Sequence, residues 1–184
     1  MIHTPTLTKH SHIIQEMTVS SFVPNDTELV GGPGESDSHH NTVSLHDSTK
    51  DSASMLVLTG PNYSGKSVYL KQVALIVFMA HVGCFVPAES AEIGLTDKIL
   101  SRVTTRESVS RTQSSFMIDL QNISLALNLA TRRSLLIIDE FGKGTESSGG
   151  AGLACAVMDH LLSLGNERPK GLVSTHFFGK SLPC

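Results

Sequence analysis

No run of lysine or arginine stands out in the 184 residues, and the formal net charge is -3. A surface that grips duplex DNA usually shows a basic stripe, so this segment does not read as a main nucleic-acid contact. Aromatic residues are scarce, at 5% with no Trp. The three cysteines, Cys84, Cys155 and Cys184, are far apart, odd in number and without a C-x-x-C pair. They read as reduced thiols of an intracellular compartment. The longest apolar run, Val73 to Ala80, is too short to span a bilayer, so no membrane contact is expected. The opening Met1-Ile2-His3-Thr4-Pro5 lacks the charged-then-apolar pattern of a secretory signal. No internal repeat is visible. What is present supports a packed core: hydrophobic residues make up 40% and charged residues 17%, over a length of about one domain.

The densest pattern is Thr59-Gly60-Pro61-Asn62-Tyr63-Ser64-Gly65-Lys66-Ser67, directly after the apolar run Met55-Leu56-Val57-Leu58. It satisfies G-x-x-x-x-G-K-[ST] at every fixed position. Gly60 and Gly65 let the backbone curl so that its N–H groups face phosphate oxygens. Lys66 reaches the β- and γ-phosphates as a point charge, and Ser67 offers a hydroxyl to Mg²⁺. A helix beginning here adds its N-terminal dipole. The plain alternative is a chance match in a glycine turn.

Along the chain, residues 1–30 are mixed, with possible strands at Ile13-Ile14 and from Met17 to Val23. Residues 31–54 carry Gly, Pro, Ser, Asp, His and Thr with almost no apolar anchor, and read as a long solvated loop or insertion. His39, His40 and His46 inside it read as solvated histidines, not metal ligands. From residue 55 the pattern tightens into strand Met55–Thr59, helix Lys66–His81, a break at Gly83–Pro87, and an undecided strand or helix in Ile93–Val103. Leu70, Val73, Ala74 and Val77 repeat at helical spacing, and the opposite face of that helix is also apolar, so it is expected to be buried on most sides. A second helix covers Phe116–Ala130, with Phe116, Leu120, Ile123 and Leu127 on one stripe, Ser114 or Ser115 as N-cap and Asp119 in the first turn. Leu135 to Ile138 reads as a strand central to a parallel sheet. A helix over Gly150–Leu164 and a strand over Gly171–Thr175 follow. Alternating strands and helices predict an α/β fold with a mostly parallel sheet flanked by helices.

Asp139-Glu140 ends the apolar strand, at the edge of the sheet where ligands bind. Asp139 would hold Mg²⁺ directly or through water, and Glu140 would act as general base on an attacking water. Alone, the pair could simply cap a strand in solvent; beside a complete phosphate loop it reads as catalytic. His176, just after the last strand, would hydrogen-bond the γ-phosphate or the water, with a structural histidine as the alternative. The glycines of Gly142-Lys143-Gly144-Thr145 permit a tight turn against a neighbour, or an ordinary strand-to-helix loop.

In order, the chain carries G-P-N-x-x-G-K-S, S-S-F-M-I-D, L-L-I-I-D-E-F-G-K-G-T and S-T-H, with Phe85-Val86-Pro87-Ala88 after the first long helix. Together these resemble the ATPase domain of the MutS family of DNA-repair proteins, over roughly Phe22 to His176. Asp119 and the Asp139–Thr145 run resemble most the meiotic branch, MutS homologue five. The resemblance implies a P-loop, ABC-type ATPase using ATP and Mg²⁺, dimeric, with composite sites. Gly60, Pro61, Asn62, Tyr63, Ser64, Gly65, Lys66, Ser67, Asp139, Glu140 and His176 would act on the subunit's own nucleotide, and Ser114 on the nucleotide of the other subunit. Phe22 and Val23 match the residues that pack on adenine, a role that suits an apolar-aromatic pair; ordinary core residues are the alternative. The meiotic branch further implies a nuclear protein, a heterodimer with MutS homologue four, and branched DNA held by other domains. ATP would shift the clamp between shapes by binding one dimer state better.

The sequence departs from the family where Gly149-Gly150 replaces an Asp-Gly pair that links the two sites. His12-Ile13-Ile14-Gln15-Glu16 resembles the family's approach to the domain without its Pro. The family's recognition, connector, lever and clamp domains would precede residue 1, and its last strands and helix-turn-helix would follow residue 184. The expectation is therefore a fragment: a leading segment at 1–30, an insertion at 31–54 and an ATPase core at 55–184 that binds ATP weakly and turns it over slowly alone. Two other readings remain. A transporter or chromosome-maintenance ABC ATPase would show Leu-Ser-Gly-Gly-Gln before the acidic strand, where Ser114-Ser115-Phe116-Met117 stands. The other is a non-hydrolysing scaffold that docks a partner.

Overall fold

The computed structural model describes residues 6–32, 53–103, 112–143 and 147–177, with the side chains of 112–115 and 147–148 outside that description. The chain runs through β1 (Thr6–His10), α1 (Ile13–Thr18), β2 (Asn25–Glu28), β3 (Met55–Thr59), α2 (Lys66–His81), β4 (Ser90–Glu92), β5 (Ile99–Arg102), α3 (Thr112–Leu129), β6 (Leu135–Asp139), α4 (Ser147–Ser163) and β7 (Lys170–Thr175). Strands β3, β7, β6 and β5 form one sheet in that order, and every pairing in it is parallel.

Alternation within β6 explains the layers. Leu135 and Ile137 face one side with Leu172 of β7, against Leu70, Val73, Ile76 and Val77 of α2. Leu136 and Ile138 face the other with Val173, against Ile123 of α3 and Ala154, Met158 and Leu161 of α4. Successive strand residues point to opposite faces, so a strand covered by helices on both sides must be apolar throughout. Each fully buried Leu or Ile contributes about 1.5–3 kcal/mol. The result is an α/β sheet flanked by helices, as the strand–helix alternation predicts.

The sequence gives no hint of a second, antiparallel sheet of order β2-β1-β4, whose Leu7, with Leu29 just beyond β2, joins the core on the α2 side. The strands expected at Ile13-Ile14 and Met17–Val23 are not formed. Ile13–Thr18 is a short helix, capped by His12, whose Nδ1 accepts the Gln15 N–H at 3.4 Å. No residue of that helix is buried, so its apolar pair lacks the buried sheet face that would make it a strand.

Three further expectations need correcting. Helix α2 has its expected ends, but one side is open: Leu75 and Phe78 are exposed because the two sheets cover only the opposite face. Helix α3 begins at Thr112, which puts Ser114 and Ser115 inside the first turn, not at the N-cap, and Asp119 beyond it. Gly31 and Gly32, assigned to the loop, are buried against the backbone of Arg132 and Asn166. The Val30 N–H donates to the Ala53 carbonyl at 3.1 Å, so the two ends of the intervening segment meet. Residues 33–52, with His39, His40 and His46, lie outside the described residues. The undecided stretch holds β5, and β4 ends one residue before it.

Candidate functional site

Register brings the motifs to one edge. In the parallel pairings Thr59 lies beside Thr175, and Asp139 beside Ser174. The segments that leave β3, β6 and β7, namely the glycine loop, Glu140 and His176, therefore emerge side by side at the carboxyl ends of the strands.

The loop turns into α2 at Gly65, whose φ of +93° is a left-handed conformation that only glycine adopts without strain. Tyr63 also has positive φ and is fully exposed. Lys66 is buried under the loop: Nζ donates to the Gly60 and Pro61 carbonyls at 2.8 and 2.9 Å. The same Nζ is 3.7 Å from Oε1 of Glu140. Lys143 reaches the other carboxylate oxygen of Glu140 at 2.7 Å.

Two cavities flank this lysine. One, of about 590 Å³, is bounded by Asn62, Tyr63, Ser64, Gly65, Lys66, Ser67, Glu140 and Lys143. The other, of about 620 Å³, is bounded by Phe22, Val23, Gly60, Pro61, Ser64, Gly65 and Lys66, with Tyr69 and Gln72 in its wall. Both are of ligand-pocket size. Phe22 and Val23 are not core residues: Phe22 is half-buried, and Val23 is 77% exposed.

Glu140 has φ +50°, a conformation that costs a non-glycine residue about 1–3 kcal/mol. Its N–H donates to the Ser174 carbonyl and to Ser174 Oγ, both at 3.1 Å. Ser174 Oγ in turn donates to Asp139 Oδ1 at 2.5 Å. Asp139 is 2% exposed, deeper than Glu140. Burial works to raise the Glu140 carboxyl. The hydrogen bond and charge of Lys143, with Lys66 and His176 beyond, outweigh it and hold the group below its ordinary value. Gly142, at φ +89°, packs on the backbone of Gly150, where a Cβ would meet the carbonyl oxygen at 2.5 Å. At Gly142 the turn is tight against the first turn of α4. Gly144 and Thr145 lie outside the described residues.

His176 is half-buried with its ring 4.3 Å from that of Phe177, and its Nδ1 is buried without a partner among the described residues. A buried ring nitrogen normally has a partner, so this one suits an incoming polar ligand or water. Ser114 lies in the first turn of α3 and its side chain is outside the described residues.

The cavity wall rests on a polar chain that sequence reasoning missed. Gln72 Nε2 donates to His10 Nδ1 at 2.6 Å, and His10 Nε2 donates to Thr27 Oγ1 at 2.7 Å. Thr27 Oγ1 is also hydrogen-bonded to Tyr69 OH. Burial pushes the His10 imidazole down, which favours this neutral form. Ser174, Lys143 and Arg102, whose Nη1 donates to the Asp139 carbonyl, carry no sequence signal for their roles either. Ser174 and Lys143 stand inside quoted motifs, but nothing in the spacing assigns them partners.

Fold and motif together define an α/β domain with a phosphate-loop sequence at the carboxyl edge of a parallel sheet. Residues 56–181 match the family model MutS domain V. The chain is 43% identical over 166 residues to MutS protein homolog 5 of Saccharomyces cerevisiae, covering 90% of this chain and 17% of that protein. It is 41% identical to the DNA mismatch repair protein MutS of Caldicellulosiruptor saccharolyticus, over 92% of this chain and 17% of that one. It is 45% identical to the MutS of a Dehalococcoides mccartyi strain, over 92% of this chain and 18% of that one. The chain belongs to the MutS family, and spans about a sixth of the length of these curated relatives.

Proposed function

We propose that this chain is the ATP-binding and ATP-hydrolysing domain of a MutS-type DNA clamp, built as a P-loop ATPase of the ABC type. The observation that carries this reading is the 3.7 Å approach of Lys66 to Glu140 beside the glycine loop. A cation and a carboxylate from segments 74 residues apart in sequence meet where a triphosphate would lie.

On this reading the backbone of Gly60 to Gly65, including Pro61, Asn62, Tyr63 and Ser64, cradles the phosphates, and Phe22 and Val23 hold the adenine. Lys66 exchanges the Gly60 and Pro61 carbonyls for β- and γ-phosphate oxygens, which carry more negative charge. Ser67 and Asp139 hold Mg²⁺, both offering the hard oxygen donors it prefers. When bound, the ion would neutralise charge on the phosphate oxygens. Glu140, ionised under the influence of Lys143, takes the proton of the attacking water. His176 offers Nδ1 to the γ-phosphate or the water. Ser114, on the first turn of α3, acts on the nucleotide of the other subunit, so the chain alone turns ATP over slowly.

The wider assignment follows the segmentation of the sequence and the family resemblance. Residues 1–30 supply the adenine side, 31–54 an insertion and 55–184 the ATPase core. The domain serves meiotic recombination in the nucleus, paired with MutS homologue four, on branched or mismatched DNA held by other domains. The similarity to the yeast MutS protein homolog 5 supports this branch.

Magnesium-dependent ATP turnover by wild type and Glu140→Gln tests the reading. Loss of the base is expected to slow hydrolysis by about 10²–10⁴-fold with ATP still bound. Equal background rates in both would favour a non-hydrolysing scaffold instead. On the side of that second reading stands the engagement of Glu140 by both Lys66 and Lys143, which a purely structural ion-pair cluster would also show.

A further inference from the structure

One peptide unit at the site is held at both of its polar ends. The Asp139 carbonyl accepts a hydrogen bond from Nη1 of Arg102, while the Glu140 N–H, across the same peptide bond, donates to Ser174. A peptide unit is planar and stiff, so these contacts fix its tilt. That tilt sets the positive φ of Glu140 and hence the direction of its side chain. Arg102 does a second thing with the rest of its guanidinium: Nε donates to Asp119 Oδ1 at 3.0 Å and Nη2 to Asp119 Oδ2. Arg102 is 8% exposed and ends β5 beside Ile138. A buried guanidinium is tolerated where its donors are matched, and the two-pronged pairing with Asp119 fixes its orientation as well as offsetting its charge. Asp119 belongs to α3, a continuous helix of 18 residues.

We propose that Arg102 is a positioning residue that makes the geometry of Glu140 depend on the position of α3. Displacing α3 pulls Asp119, turns the guanidinium and releases or tightens the Asp139–Glu140 peptide. In the opposite direction, a nucleotide that repositions Glu140 is felt along α3, because coupling between sites is reciprocal. The proposal rests on the reading of the site given above, since it needs a nucleotide at Lys66 and Glu140. Lysine cannot replace Arg102, because a single ammonium does not present a fork to both Asp119 oxygens and a third donor to the carbonyl.

Hydrogen exchange of the purified chain with and without Mg·ATP, on wild type, Arg102→Met, Arg102→Lys and Asp119→Asn, tests it. In wild type, nucleotide is expected to slow exchange in both the segment 138–143 and the body of α3 over 116–127, the latter by about threefold or more. In Arg102→Lys and Asp119→Asn the slowing at 138–143 persists, nucleotide affinity stays within about threefold, and the response of α3 disappears. Arg102→Met is expected to do the same; if it does not fold, the other two decide. A wild-type α3 indifferent to bound nucleotide, or an α3 response undiminished in both conservative variants, overturns the coupling while leaving the site reading intact. No nucleotide binding in wild type overturns both.

Discussion

The two ends of the parallel sheet treat their carboxylates in opposite ways. At the amino end, Asp97 accepts hydrogen bonds from Thr131 Oγ1 at 2.7 Å, Ser134 Oγ at 2.9 Å and Lys98 Nζ at 2.8 Å. Burial raises that carboxyl, but these donors overcome it and bring it down to about 2. At the carboxyl end, the side-chain partners of Glu140 among the described residues are two lysine ammoniums, and the group lies on a cavity in a strained backbone conformation. Asp97 is held by the adjacent Lys98 and by two short hydroxyls that staple the turn before β6 to the approach to β5. Glu140 is satisfied by long side chains that can change partner. The first pattern stabilises the fold; the second leaves room for a ligand. Strain and exchangeable partners together, more than a lowered pKa alone, mark the functional end.

The comparison breaks most visibly at Lys66. Lys66→Ala removes the cation on which the cavity converges and is expected to weaken ATP binding by roughly 10–100-fold, the worth of one charge-assisted hydrogen bond of about 1.5–3 kcal/mol. Calorimetric titration with Mg·ATP measures it. The converse change, Asp97→Ala, removes the acceptor shared by the Thr131 and Ser134 hydroxyls and is expected to cost about 1–3 kcal/mol of stability in urea unfolding, with ATP affinity unaltered. A large loss of affinity in that variant would show that the two ends are not independent.

Smaller effects sharpen the contrast through pH. The Asp97 carboxyl is near 2 in the folded chain against an ordinary 3.8. Its contribution is therefore complete above about pH 4 and lost as pH falls towards about 2; Asp97→Asn should flatten that part of the stability curve. Glu140 is lowered chiefly by Lys143 against the effect of burial. A base with a lowered pKa stays ionised to lower pH, so Lys143→Met should move the acid limb of ATP turnover to higher pH. An unmoved limb would mean that Lys143 does not set the ionisation of Glu140.

The elements around the site were legible because their signals are local. Met55–Thr59 is an apolar run ending in a glycine loop, Lys66–His81 has helical spacing, and β6 is apolar on both faces. The antiparallel sheet was not legible, because Thr6–His10 has a single aliphatic residue, Leu7, and Asn25–Glu28 has none. Their strand character comes from pairing with each other and with β4, which no local window contains. The same holds within the site. Lys66 and Glu140 could be picked out by motif, whereas the grip of Ser174 and Arg102 on the Asp139–Glu140 peptide depends on strand register. In sequence Asp119 reads as a helix-dipole residue, because its partner Arg102 lies 17 positions away on another element.

A crystal structure of the chain with magnesium and a non-hydrolysable ATP analogue tests the central claim most directly. The account predicts the terminal phosphate within hydrogen-bonding reach of Lys66 Nζ, the carboxylate of Glu140 facing it, and the ion on Ser67 with Asp139 alongside. A nucleotide bound elsewhere, with Lys66 still on the Gly60 and Pro61 carbonyls, would contradict it.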